Sequence, residues 1–110
     1  MIPERLAQIE ATLRNSATIP ETTRQELLDL VAGLKAEVAP LAATHGQSVE
    51  QITDTADAAV QAVVRRPEQP GEAAEAVSGL AASVRDFEAS HPRLVEIVDR
   101  LALTLSNMGI

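Results

Sequence analysis

The chain has 110 residues, which is room for a single domain over residues 1–110. Hydrophobic residues make up 45% of it, and Ala is the commonest of them, whereas Trp and Tyr are absent and Phe occurs once. This composition supports a folded core built from small side chains. It nearly lacks the aromatic residues on which base stacking and most binding hot spots depend.

Sixteen acidic and nine basic residues give the chain a formal net charge of -7. A negative charge of this size repels phosphate backbones and anionic lipid, so we expect neither a nucleic-acid partner nor a membrane partner. The chain has no Cys, which excludes disulfides and Cys-based metal sites. Its apolar runs are too short for a signal peptide or a membrane span, and we therefore expect a cytoplasmic protein.

Apolar residues recur at spacings of three and four in the first two thirds of the chain, which is typical of helices. The pattern predicts a first helix at about 3–15 and a second at about 20–44, which Pro40 should bend or end near Val38. Ser48, followed by Gln three positions later, forms a capping box for a third helix at about 48–66. Period-two alternation occurs nowhere over more than a few residues, so no strand is predicted.

Two Pro and one Gly at 67–71 predict a break, and the most regular pattern of the chain follows it. Apolar residues then alternate at spacings of four and three for about five heptads, which predicts a last helix at about 72–107. We call the ten residues of this pattern the C-terminal stripe: Val77, Leu80, Val84, Phe87, His91, Leu94, Val98, Leu101, Leu105 and Met108.

Pro92 lies inside the C-terminal stripe, and two arrangements fit the pattern. The last helix is either continuous with a kink at Pro92, or it is two helices of about 18 residues that meet at a tight corner. The unbroken spacing on both sides favours the continuous helix, which would be about 54 Å long. Three shorter helices cannot cover such a rod, so we expect a homodimer in which a second chain covers the C-terminal stripe.

These elements predict an all-α fold, an antiparallel bundle of about four helices with coiled-coil-like heptad seams. Ala at the apolar positions 56, 59 and 73 of the predicted helices lets helix axes approach closely. This suits bundle packing better than a cofactor cavity. We therefore expect helices packed on helices, with little internal space.

Few residues of the chain carry chemistry, and none forms a complete catalytic or metal-binding set. His45 and His91 are the only imidazoles, and two are too few for a zinc site. His91 suits a structural role at the helix junction, with a pH-sensitive contact or a ligand as the alternatives. Glu88 precedes His91 with the spacing of di-iron bundles, but in one copy instead of two.

Three acid pairs also have helical spacing, and Arg65–Arg66 suits the end of the third helix as a charge complement to the helix dipole. Because phosphate-binding loops and catalytic triads are absent, we predict no enzyme activity, no cofactor and no metal. The acid pairs are Asp54 with Asp57, Glu72 with Glu75, and Glu96 with Asp99.

The end of the chain resembles a known family. The segment Phe-Glu-Ala-Ser-His-Pro-Arg-Leu at 87–94, with Arg-Leu-Ala at 100–102 and Ser-Asn-Met-Gly-Ile at 106–110, is similar to short bacterial proteins known only as a domain of unknown function. The resemblance implies a bacterial source and a compact helical fold, and it implies no activity.

Three functional hypotheses follow. The first is a non-enzymatic scaffold or interaction module that self-associates through the C-terminal stripe. The second is an adaptor or chaperone-like protein that binds a partner helix in an exposed apolar groove. The third is a small metal-dependent enzyme that uses Glu88, His91 and neighbouring acids, and it is the least favoured.

Overall fold

A computed structural model describes residues 2–17, 19–64 and 70–108, and within them it contains helices and no strand. The all-helical prediction is confirmed, but the predicted number of about four helices is too low, because the last predicted helix is two. The five helices are α1 (Ile2–Asn15), α2 (Glu21–Val38), α3 (Gly46–Val64), α4 (Pro70–Ala82) and α5 (Pro92–Ser106).

Proline and local hydrogen bonds set the helix ends in the first half of the chain. The second helix does not reach residue 44: α2 ends at Val38, as one of the two outcomes expected from Pro40, and a 3₁₀ turn follows at Ala39–Leu41. Pro40 has no amide N–H with which to continue the hydrogen bonds of α2. After the 3₁₀ turn, the N–H of His45 donates to the carbonyl of Leu41 at 2.7 Å. The next helix, α3, begins at Gly46, so Ser48 lies inside it and is not its cap.

The predicted break at 67–71 is only partly covered, because residues 65–69 lie outside the described part of the chain. Arg65 and Arg66, predicted to cap the third helix, lie outside it too. Pro70 and Gly71 were expected in the break, but they form the first turn of α4. Pro is tolerated there because the first amides of a helix have no intrahelical partner.

The continuous last helix is the largest error of the sequence-based prediction. Residues 83–91 form a corner between α4 and α5, with a 3₁₀ turn at Arg85–Phe87. The backbone of His91 is extended (φ -139°, ψ 66°), as steric contact with the following proline ring requires, and Pro92 starts α5. A continuous helix of about 54 Å would also exceed the described molecule, whose longest dimension is 38 Å.

The corner keeps the apolar spacing although it interrupts the helix. The N–H of Phe87 donates to the carbonyl of Val84 at 2.9 Å, and that of His91 to the carbonyl of Phe87 at 2.8 Å. These bonds keep the backbone coiled through the corner, so Val84, Phe87 and Leu94 all face the core and are buried. Regular spacing therefore predicts which residues are buried here, but not that one helix carries them.

Small residues bring the helices together. Ala56 and Ala59 of α3 and Ala73 of α4 are fully buried where these two helices pack. Gly33 of α2 faces α5, and a Cβ atom at this position would lie 3.3 Å from Cδ1 of Ile97. The prediction that small side chains permit close approach of helices agrees with this packing.

Arg24 closes the connection between α1 and α2. Its Nε donates to the carbonyl of Leu13 at 3.1 Å, and its Nη2 donates to the carbonyls of Ser16 at 2.6 Å and Ile19 at 3.1 Å. Carbonyls at the end of a helix have no intrahelical donor. The guanidinium supplies that donor, and it holds α2 against the end of α1.

Arg5 joins α1 to α3. Its Nε lies 3.1 Å from Oδ1 of Asp54, and its Nη1 lies 3.1 Å from Oδ2 of Asp57. Asp57 is buried, and its Oδ1 has no hydrogen-bond partner. The guanidinium thus offsets the charge of a carboxylate that is removed from water.

We predict that Leu101→Ala lowers the free energy of unfolding by about 2–5 kcal/mol, because it leaves a cavity in the core. Leu101 is fully buried, whereas Leu103 on the same helix is 60% exposed. The control Leu103→Ala should therefore change the free energy by less than about 0.5 kcal/mol. Urea unfolding of both variants measures this, and equal losses would contradict the positions of the two side chains.

We predict that Arg5→Met lowers the free energy of unfolding by about 1–3 kcal/mol, because the carboxylate of Asp57 loses its charged hydrogen bond. Arg14→Met is the matched control, since Arg14 is exposed on the same helix and makes no ion pair within the described residues. Thermal unfolding compares the two variants. A loss confined to Arg14→Met would show that Arg5 does not hold Asp57.

We predict that Pro92→Ala lowers the free energy of unfolding by about 0.5–1 kcal/mol, because Pro at the first position of α5 restricts the unfolded chain. The far-UV circular dichroism of the folded variant should be unchanged, since the corner is also held by buried side chains. A gain in both helicity and stability would instead mean that Pro92 alone separates α4 from α5.

Candidate functional site

The C-terminal stripe lies in the core of its own chain. Eight of its ten residues are buried, and only His91 and Met108 are half-buried. The corner at 83–91 folds the stripe back on itself, so α4 covers part of α3 while α5 covers part of α2. The dimer was expected because a long helix would leave this stripe uncovered, and that reason does not hold.

A groove of about 740 Å³ lies between α2 and α5. Leu30 of α2 and Leu103 of α5 are its large apolar residues. Gln25, Glu26 and Asp29 line the α2 side, and Arg100 lines the α5 side next to Leu103. We call this surface the α2–α5 groove.

Leu103 is the exposed large hydrophobic residue of the described chain, with 60% of its surface accessible. It also borders a second depression of about 430 Å³ that follows α5 towards Val95 and Pro92. Leu103 therefore has open space on both sides, next to the half-buried Leu30 of the groove.

The charged groups of the α2–α5 groove make no ion pair among the described residues. Glu26 accepts a hydrogen bond from Oγ1 of Thr104 at 3.4 Å, and Asp29 accepts one from Nε2 of Gln25 at 3.3 Å. Neither carboxylate has an ion-pair partner among the described residues, and neither has the guanidinium of Arg100. The groove therefore has one acidic wall, on α2, and a cation on α5.

A different cluster forms at the two turns of the chain. His45, before α3, and His91, before α5, have ring centroids 6.1 Å apart, and each lies 5.6 Å from the ring of Phe87. All three pairs are edge-on, with interplanar angles of 66–73°. Phe87 is buried, His91 is half-buried and His45 is exposed. The rings of the only Phe and the only two His thus meet, which the sequence reasoning missed for His45.

The acidic residues considered for metal binding are placed differently. Arg5 binds Asp54 and Asp57, and Arg85 binds both Asp99 and Glu88. Glu88 therefore pairs with a guanidinium 2.8 Å away, beside the corner that carries His91. In the described ranges, no group of three or more His, Cys, Asp or Glu side chains is arranged to hold a metal ion.

The remaining pair, Glu72 and Glu75, lines a shallow cavity of about 370 Å³ against Ala58, Ala62 and Ala76. Among the described residues, the cavity wall has no further polar side chain. Nothing in this arrangement distinguishes the pair from two solvated carboxylates on one helix face.

A further cavity of about 380 Å³ lies where the start of α1 meets the end of α2 and the start of α3. Its lining is mostly apolar, with Ile2, Leu6 and Val38 among its residues. Lys35, the only Lys of the chain, and Glu50 lie at this cavity and carry opposite charges.

The apolar residues of the groove could have been found in the sequence, but they lie outside the apolar spacing of three and four residues. Leu103 lies between Leu101 and Leu105 of the C-terminal stripe, about 200° around the helix from each. It is thus an apolar residue on the outward face of an amphipathic helix. Its partner Leu30 lies off the stripe of α2 in the same way, one position before the buried Val31.

None of the described helices has the length and hydrophobicity needed to cross a bilayer.

Comparisons with known proteins identify the family of the chain. No curated protein and no solved structure matches the chain. A family model does match, over residues 34–110, from the last turn of α2 through α5. Since the match covers more than half of the sequence, the chain belongs to the family described as Domain of unknown function (DUF4404).

Proposed function

We propose that this protein is a non-enzymatic interaction module that self-associates, with the α2–α5 grooves of two copies facing each other. The observation that carries the proposal is Leu103, which is 60% exposed, whereas the other large aliphatic side chains of the described residues are buried wholly or in part. Pairing would bury Leu103 of each copy against Leu30 of the other. Removal of this apolar surface from water supplies the driving force.

The charges of the groove favour a second copy as the occupant. A two-fold axis that runs along the groove places the α5 side of one copy opposite the α2 side of the other. Arg100 of each copy then lies opposite Glu26 and Asp29 of the other, and none of these three groups makes an ion pair among the described residues of one chain. Complementary charges of this kind set the register of a pair.

The net charge of -7 works against association, because two copies repel at long range. The apolar part of the groove is also small, with two leucines. The expected pair is therefore a weak, concentration-dependent dimer rather than an obligate one. This interface differs from the one first expected: it uses the outward face of α5, whereas the C-terminal stripe fills the core.

We predict that Leu103→Glu weakens dimerisation at least about tenfold, since it replaces a buried contact with a charge. Ala11→Glu is the matched control, because it adds the same charge at an exposed position of α1, outside the groove. Sedimentation equilibrium over a range of protein concentrations gives the dissociation constant of each variant. The control should keep the wild-type value within about twofold.

A charge exchange tests the orientation of the two copies. Arg100→Glu and Asp29→Arg should each weaken the dimer, and the double variant should recover most of the affinity, because it restores opposite charges across the interface. A double variant as weak as the sum of its single changes would contradict the proposed register. A wild-type chain that stays monomeric at all concentrations would contradict self-association, and would leave a helix of another protein as the occupant of the groove.

A further inference from the structure

We propose that His45 and His91 together bind one divalent transition-metal ion through their Nε2 atoms. The two imidazoles are 46 positions apart in sequence, and the fold brings their ring centroids to 6.1 Å. They are the only His of the chain, which has no Cys, so they are its only ligands of the kind that Cu²⁺, Ni²⁺ and Zn²⁺ prefer. The inference is independent of self-association, because the α2–α5 groove contains neither residue.

The neighbouring hydroxyls leave the Nε2 atoms available. Nδ1 of His45 lies 2.8 Å from Oγ1 of Thr44, and Nδ1 of His91 lies 2.9 Å from Oγ of Ser90. When each Nδ1 carries the proton and donates to the hydroxyl oxygen, the lone pair of the neutral ring is on Nε2. Metal-binding His residues usually have such a partner on the second ring nitrogen, which orients the ring and selects this tautomer.

The distance between the rings is within the range for two imidazoles that share an ion. With metal–nitrogen bonds of about 2.0–2.1 Å, the centroids are about 5.2 Å apart at a tetrahedral angle and about 6.4 Å apart when the rings lie on opposite sides of the ion. The observed separation of 6.1 Å lies between these two values and corresponds to a wide N–metal–N angle. Phe87 fixes both rings from the core side, since it contacts each of them at 5.6 Å.

Solvent access is consistent with an open site. His45 is exposed and His91 is half-buried, so water can complete the coordination of the ion. A closed zinc site needs four protein ligands, and the described residues hold no group of three or more such side chains. An ion bound by two imidazoles would therefore be exchangeable, and Cu²⁺ should bind most tightly because it has the highest affinity of the series for nitrogen ligands.

Binding would connect two separate turns of the chain. His45 lies between α2 and α3, and His91 ends the corner between α4 and α5. An ion held by both restrains the corner on which burial of the C-terminal stripe depends. Because a ligand that binds the folded chain stabilises it, the ion should raise the melting temperature.

The test is a titration of the full-length chain, without an affinity tag, with CuCl₂ and with NiCl₂ in a buffer free of imidazole. Calorimetry should give one ion per chain. His45→Gln and His91→Gln should each weaken binding at least about tenfold, because either change leaves a single imidazole ligand. Glu96→Gln is the control: it removes an exposed carboxylate of α5 and should leave the affinity unchanged.

Two further measurements distinguish ligation from a general effect on the fold. The electron paramagnetic resonance spectrum of the Cu²⁺ form should show coupling to two nitrogens in the wild type and to one in each His variant. An excess of the chelator EDTA should remove the ion and return the melting temperature to that of the metal-free chain.

Two results would contradict binding of a metal ion by both imidazoles. The proposal is wrong if the wild-type chain binds neither ion, or if His45→Gln keeps the wild-type affinity and spectrum. His45 is exposed, so this variant should fold normally and decides the question even where His91→Gln unfolds the corner. Circular dichroism of both variants without metal shows whether the fold is intact.

Discussion

The corner between α4 and α5 is the constraint on which the rest of the molecule depends. Pro92 has no amide N–H, and its ring forces the backbone of His91 out of the helical region, so α4 and α5 cannot form one rod. The chain turns within residues 83–91, and Arg85 holds the turn by binding Glu88 beside it and Asp99 on α5. The turn divides the C-terminal stripe between α4 and α5, and both parts pack into the core of the same chain.

This geometry decides which surface is left for other molecules. A straight last helix would present its stripe to a second chain, whereas the folded one uses that stripe to close its own core. The outward face of α5 is then the face that remains for contact with other molecules. It carries the exposed Leu103 and Arg100 beside the acidic wall of α2, and the charged groups there make no ion pair among the described residues.

The corner also explains the ring cluster. Phe87 packs into the core from the 3₁₀ turn, and His91 follows one helical turn later, so both rings face the connection between α2 and α3. His45 is at that connection because α2 ends at Val38, next to Pro40, and the chain turns there before α3. A proline near the end of α2 and a proline at the start of α5 therefore flank the two turns that bring the rings of His45, Phe87 and His91 together.

The sequence by itself determined the all-helical class, the start and end of α1, and the identity of most core residues, because spacings of three and four report which side chains face one side of a coiled backbone. It did not determine the path of the chain at Pro92, since a 3₁₀ turn keeps nearly the same spacing as a helix. It also missed Arg5 with Asp57, Arg24 with the end of α1, and His45 with His91. These contacts join residues far apart in sequence, and only the tertiary structure decided them, because local periodicity contains no information about which turns become neighbours in space.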